Sequence, residues 1–222
     1  MADKGVVIEF DFAVLNGAEL LFETTRGFLK KLDGIKLDPV LEARYLAGHG
    51  YQDGLSRLFA LVRTKKTAQK AARDLQAVFQ AAVTAAVPTA LGVPLRNFVK
   101  SLTEKGVRVI FSTRADIEKV RPMFETAFGP NVVLYGEVSD CYGAVRRDAW
   151  LRACCEAHIG RVSAVAIAGS GVSVKAALLA GVRSLAVPND HVAYQDFGGA
   201  DDLIPELSGK TAKRVLCALH ID

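Results

Sequence analysis

No stretch of this sequence reaches the roughly 18 consecutive apolar residues of a membrane-spanning helix, so nothing in it reads as a membrane span. The opening "MADKG" runs straight into a strand and lacks the apolar segment of a signal peptide. Cysteine is scarce. Cys141, Cys154, Cys155 and Cys217 show no metal-ligand spacing, and the adjacent Cys154 and Cys155 are poor disulfide partners for each other. Reduced thiols in a cytoplasmic protein are the expectation. A strong charge of one sign is also missing: the net charge is +4. Its basic residues are scattered, apart from Lys65, Lys66 and Lys70 and then Arg146 and Arg147. Aromatics do not interleave with them, which argues against a nucleic-acid partner. There is no internal repeat and no low-complexity segment.

What is present is core-forming material. Half of the 222 residues are apolar, ample for one sizeable domain or a core with a small insert. The first stretch, "VVIEFDFAVLN" from Val6 to Asn16, leads apolar β-formers into two carboxylates, Glu9 and Asp11. On a strand, residues i and i+2 point to the same side. At the C-terminal end of a buried strand such a pair would face the crevice where ligands of α/β sheets bind.

After this strand the pattern is helical over residues 17–87. Leu20, Leu21, Phe28, Leu29 and Leu32 fall near helical spacing. Asp38-Pro39 supplies the cap and first-turn proline of a second helix. "GHGYQDG" at 48–54 reads as a flexible connection, 55–62 as a third helix, and 67–86 as a fourth that Pro88 ends. From residue 89 strands alternate with helices: strands at 107–111, 132–135, 162–168 and 183–187, helices at 94–105, 116–128, 147–158, 172–180 and 210–219. This alternation predicts a parallel sheet covered on both faces. The expected fold class is α/β. A Rossmann-like parallel core is formed by residues 1–16 and 89–222, and a four-helix cap by residues 17–88 is inserted after the carboxylate strand. The insert leaves at the C-terminal edge of the sheet, where it would roof the site as a lid.

The spacing of four segments resembles the haloacid dehalogenase-like superfamily. The resemblance is to the helical-cap subgroup that includes phosphoglycolate phosphatases and β-phosphoglucomutases, and it covers nearly the whole chain. The family's first motif, Asp-x-Asp-Gly-Thr-Leu-x-Asp, falls on "EFDFAVLN". Glu9 then takes the nucleophile position and Asp11 the acid/base position. In the alternative register Asp11 takes the nucleophile position and Ala13 the acid/base position. The second motif places Ser112 on the phosphate, followed by Thr113 and Arg114. The third falls on "GAVRRDAWLRA", with Ala144 where the family has its lysine. The fourth falls on "AIAGSGVSVKAALLAGV", with Gly169 at the metal-binding aspartate and Ser170 after it.

In the family an aspartate attacks phosphorus, a second protonates the leaving oxygen, Mg²⁺ neutralises the phosphate and a lysine steadies the nucleophile, a chemistry of placement and charge. Here the nucleophile is one methylene too long, the lysine is alanine and the metal aspartate is glycine. The resemblance therefore implies a phosphatase-like hydrolase fold that has lost most of its catalytic residues, a pseudoenzyme with a ligand- or protein-binding role. The alternative is an active phosphatase with a remodelled site, acting on a small phosphorylated metabolite. The candidate site is Glu9 and Asp11 as degenerate catalytic positions, with Ser112, Thr113, Arg114, Arg146 and Ser170 for a phosphate or polar ligand. No cofactor is expected. Mg²⁺ would be held by Glu9 and Asp11 only if activity is retained. His49, Tyr51, Gln52 and Asp53 in the lid connection, and Asp190 with His191 after the last strand, are further candidates. "GSG" at 169–171, opening a helix, resembles an anion-binding turn.

Overall fold

Val6, Val7 and Ile8 are wholly buried in the first strand, β1 (Gly5–Glu9). An apolar strand covered on both faces belongs inside a parallel sheet, and β1 lies there. The computed structural model describes residues 4–130, 132–137 and 140–221; residues 1–3, 131, 138, 139 and 222 of the expected core segments lie outside that range. After β1 come α1 (Phe10–Ala13), α2 (Gly17–Asp33), α3 (Pro39–Tyr45), α4 (Tyr51–Val62), α5 (Ala68–Ala90) and α6 (Val93–Thr103). Then β2 (Arg108–Thr113), α7 (Ile117–Phe128), β3 (Val132–Gly136), α8 (Arg147–Glu156), β4 (Ala164–Ala168), α9 (Gly171–Ala180), β5 (Arg183–Ala186), β6 (Asp202–Leu203) and α10 (Ala212–Ala218) follow. The strands form one six-stranded sheet in the order β3-β2-β1-β4-β5-β6, and every pair is parallel.

Alternation along the strands builds two cores. Val6 and Ile8 point to one face, with Val109, Phe111, Val165 and Ile167, and meet Phe98 of α6 and Phe124 of α7. Val7 points to the other, with Ile110, and meets Trp150 of α8 and Val174 of α9. On that second face β4 presents Ala164, Ala166 and Ala168. Small residues there let α8 and α9 come close to the sheet. Helices α2, α3, α4 and α5 pack on one another, while α6 packs on β2 and α10. Asp38 caps α3, its carboxylate accepting the Leu41 N–H at 2.8 Å, with Pro39 in the first turn.

Four local expectations are corrected. The chain does not continue as a strand through Asp11: β1 stops at Glu9, and Phe10–Ala13 form a helical turn. "GHGYQDG" is not all connection, since α4 starts at Tyr51 and contains Gly54. A Cβ at Gly54 would lie 2.7 Å from the Tyr45 carbonyl oxygen. This glycine serves the close approach of α3 and α4, a use of glycine that punctuation rules read as a loop. Pro88 does not end α5, which runs on to Ala90. Phe79, Val83 and Val87 follow one another at four-residue spacing and are all buried. They hold the last turns against the core, and tertiary packing overrides the proline's local cost. Finally, the sheet gains an edge strand, β6, that was not expected; at two residues it is too short to show a period.

Candidate functional site

Glu9, Asp11, Ser112, Thr113 and Ser170 do converge at the C-terminal ends of β1, β2 and β4, and none is more than 2% exposed. The two carboxylates face different partners, because Glu9 projects from a strand and Asp11 from the helical turn. Glu9 lies on the same face as Val7, toward α9. Its Oε2 accepts the Gly169 N–H at 2.9 Å, and its Oε1 accepts the Ser173 hydroxyl at 2.8 Å. Asp11 turns toward β2. Its Oδ1 accepts the Thr113 hydroxyl at 2.6 Å, and its Oδ2 accepts the Arg114 backbone N–H at 2.8 Å.

Burial dominates the titration of both groups. Desolvation pushes the Glu9 carboxyl up to about 8, against the opposing Gly169 hydrogen bond. The same cause raises Asp11 to about 6, opposed chiefly by the Arg114 charge. Ser112 donates to Glu137 Oε2 at 3.3 Å. Arg114 is 7% exposed; its Nη2 lies 3.4 Å from Glu137 Oε1 and donates to the Ala144 carbonyl, and its Cζ sits 5.0 Å from the Phe12 ring centroid. Burial opposes the Arg114 charge, while Glu137, Tyr51, Asp11 and Glu9 favour it and hold its pKa above the usual arginine value. Arg114 Nε, Arg114 Nη1 and the Tyr51 hydroxyl are buried without a hydrogen-bond partner among the described residues.

The glycine-rich turn is also internally occupied. Gly169 N–H goes to Glu9, Gly171 N–H to Gln195 Oε1 at 2.8 Å, and the Ser170 side chain caps α9 by accepting the Ser173 N–H at 3.2 Å. The Gly169, Gly171 and Ser173 N–H groups are therefore taken by the chain's own side chains. Arg146 stands apart. It is exposed and pairs with Asp140 at 3.0 Å, at a polar groove of about 560 Å³ that Gln52, Asp53, Arg73 and Gln76 also line. His49 is half-buried in the connection to α4, and its Nδ1 is 4.0 Å from Asp53. His191 does meet a partner: its Nε2 lies 3.0 Å from Glu42 Oε2. Glu42 Oε1 accepts the Tyr142 hydroxyl at 2.8 Å, and that hydroxyl oxygen is 3.0 Å from Thr25 Oγ1. This buried chain joins α2 and α3 to the loops before α8 and after β5.

Ser173, Glu137, Glu42 and Tyr142 were not visible as site residues in the sequence. Ser173 is a hub, accepting the Val145 N–H at 2.9 Å and the Ser170 hydroxyl at 3.0 Å. Its place three residues into α9, on the face toward Glu9, was the one available signal. Glu137 follows a strand with no motif around it.

Mg²⁺ binding asks for about six oxygens in near-octahedral order. Among the described residues no group of three or more His, Cys, Asp or Glu is placed to hold a metal ion. All four oxygens of Glu9 and Asp11 accept N–H or O–H groups, and Gly169 offers no ligand. A Cβ on residue 169 would lie 2.3 Å from the Phe12 carbonyl carbon and 2.4 Å from its oxygen. The residues present do not fit the metal.

No family model and no curated protein sequence matches the chain. Solved structures do. It is similar to β-phosphoglucomutase from Clostridium difficile, with a TM-score of 0.71 at 10% identity over 98% of this chain and 97% of that one. It is similar to CbbY from Rhodobacter sphaeroides, solved in complex with phosphate, with a TM-score of 0.65 at 17% identity over 95% and 96%. It is similar to a haloacid dehalogenase-like hydrolase from Streptococcus pneumoniae, with a TM-score of 0.63 at 12% identity over 97% of both chains. The fold is thus the haloacid dehalogenase-like α/β fold, end to end.

Proposed function

We propose that this is a haloacid dehalogenase-fold protein without phosphatase turnover, a pseudoenzyme whose role is binding, with residues 17–88 as its helical cap. The observation that carries the reading is the closure of the Glu9–Asp11 corner. Both carboxylates are 2% exposed or less, and each of their oxygens lies against an internal donor. An attacking carboxylate needs an open line to phosphorus and a geometry held to a fraction of an ångström. Glu9 lacks the opening and is one methylene longer than the aspartate such an attack calls for. Its carboxyl, held up to about 8, is protonated near neutral pH and a poor nucleophile. Ligand-binding capacity lies instead in the open polar groove at Arg73 and Arg146, whose lining suits a small phosphorylated or polar molecule.

The test is a phosphatase screen over small phosphorylated metabolites with Mg²⁺ and Mn²⁺, run on the parent and on Glu9→Ala. Both proteins are expected to be equally inactive. Turnover by the parent that vanishes in the variant establishes the active, remodelled phosphatase instead.

A further inference from the structure

The misfit to a metal leaves an electrostatic question. Three acids, Glu9, Asp11 and Glu137, are buried around the ends of β1 and β3. Ionised carboxylates removed from water need a cation or a proton. Arg114 is a basic residue in contact with two of these acids, Asp11 and Glu137. It meets four segments at once: the Asp11 carboxylate through its backbone N–H, Glu137 and the Ala144 carbonyl through Nη2, and the Phe12 ring face through its guanidinium.

Building on the non-catalytic reading above, we infer that Arg114 is the resident cation of this corner, standing where a divalent metal would otherwise balance the acids, so that the fold is indifferent to Mg²⁺ and Mn²⁺. A guanidinium suits the place: it is always charged, weakly hydrated and able to stack on an aromatic face. Its contact with Ala144 is informative, because the family pattern puts its lysine at that position. One buried guanidinium beyond the neighbouring strand end is the cation of a corner where the family pattern has a lysine and a metal.

The experiment reads stability and metal binding rather than turnover, so its failure is distinct from failure of the activity screen. Thermal midpoints are measured in EDTA and in millimolar MgCl₂ or MnCl₂ for the parent, Arg114→Met, Glu137→Gln and the double variant, with Mn²⁺ binding to the parent followed by EPR. The parent is expected to leave Mn²⁺ in its aqueous form and to melt at the same temperature in all three solutions. Arg114→Met is expected to lower the midpoint by about 10 °C, because it leaves a buried acid uncompensated. Adding Glu137→Gln is expected to recover part of that loss, since it removes the acid as well. Stoichiometric Mn²⁺ on the parent, a metal-raised parent midpoint, or a double variant no more stable than Arg114→Met overturns the inference. If Arg114→Met does not fold, a folded double variant supports the inference, and failure of both to fold overturns it.

Discussion

The backbone of Phe12 occupies the space that a side chain on residue 169 would need. The Cβ of any such side chain would come within 2.3 Å of the Phe12 carbonyl carbon, so the glycine and the turn after β1 are adjusted to each other. Any side chain placed at residue 169 meets backbone there rather than open space.

Gly169→Asp is accordingly expected to destabilise by about 3 kcal/mol or more, the range for overpacking against an element that cannot step aside. It is also expected to add no Mg²⁺-dependent phosphatase turnover. Urea unfolding measures the first; the second is read in the same substrate screen as the parent. A stable variant with metal-dependent turnover sinks the account of a closed corner.

Stability should fall as pH rises from about 4.5 to about 8. Glu9 releases its proton near 4.5 when unfolded and near 8 when folded, so between those values the folded chain binds the extra proton. Asp11, moved from 3.8 to about 6, adds a slope of the same sign at the lower end. Each contribution is present in full below its unfolded pKa and is gone above its folded pKa. Glu9→Gln is expected to carry a pH-independent penalty and to flatten the curve between about 6 and 8, with a difference on the order of a few kcal/mol across the window. Urea midpoints at stepped pH decide it; parallel curves for parent and variant refute the role given to Glu9.

Tyr142→Phe removes a hydroxyl that lies between Glu42 and Thr25. The expected loss is about 1–2 kcal/mol, the cost of one broken buried hydrogen bond with an acceptor left behind. Hydrogen exchange in α3 should quicken in the variant, because Glu42 on that helix loses its tie to the loop before α8. Unchanged exchange there shows that the tie does not hold the helix.

The sheet was legible because it rests on local patterns. Val6 to Ile8, 109–111 and 164–168 are apolar runs between helical periods, and each became a strand. The convergence of Glu9, Asp11, Ser112, Thr113 and Ser170 was legible for the same reason, since all sit at strand ends or just beyond. The partners they chose were not. Asp11 was read onto a strand, and the helical turn at Phe10 sends it to Thr113 instead. Arg114 and Arg146 looked interchangeable as nearby cations, yet one is buried among acids and the other lies in solvent beside Asp140. Such choices depend on side-chain direction and on residues such as Glu137 and Ser173 that carry no motif.

The position of β1 has a consequence for how the chain assembles. Gly5 is paired on one side with Arg108 and on the other with Ala164. A strand made first must therefore wait for neighbours that arrive much later in synthesis. Helices α2 to α5 have short-range contacts and can form meanwhile, whereas pairings between distant segments are slow. Until β4 emerges, Val6, Val7 and Ile8 remain an exposed sticky edge, the kind of surface that chaperones hold and that aggregates when they do not.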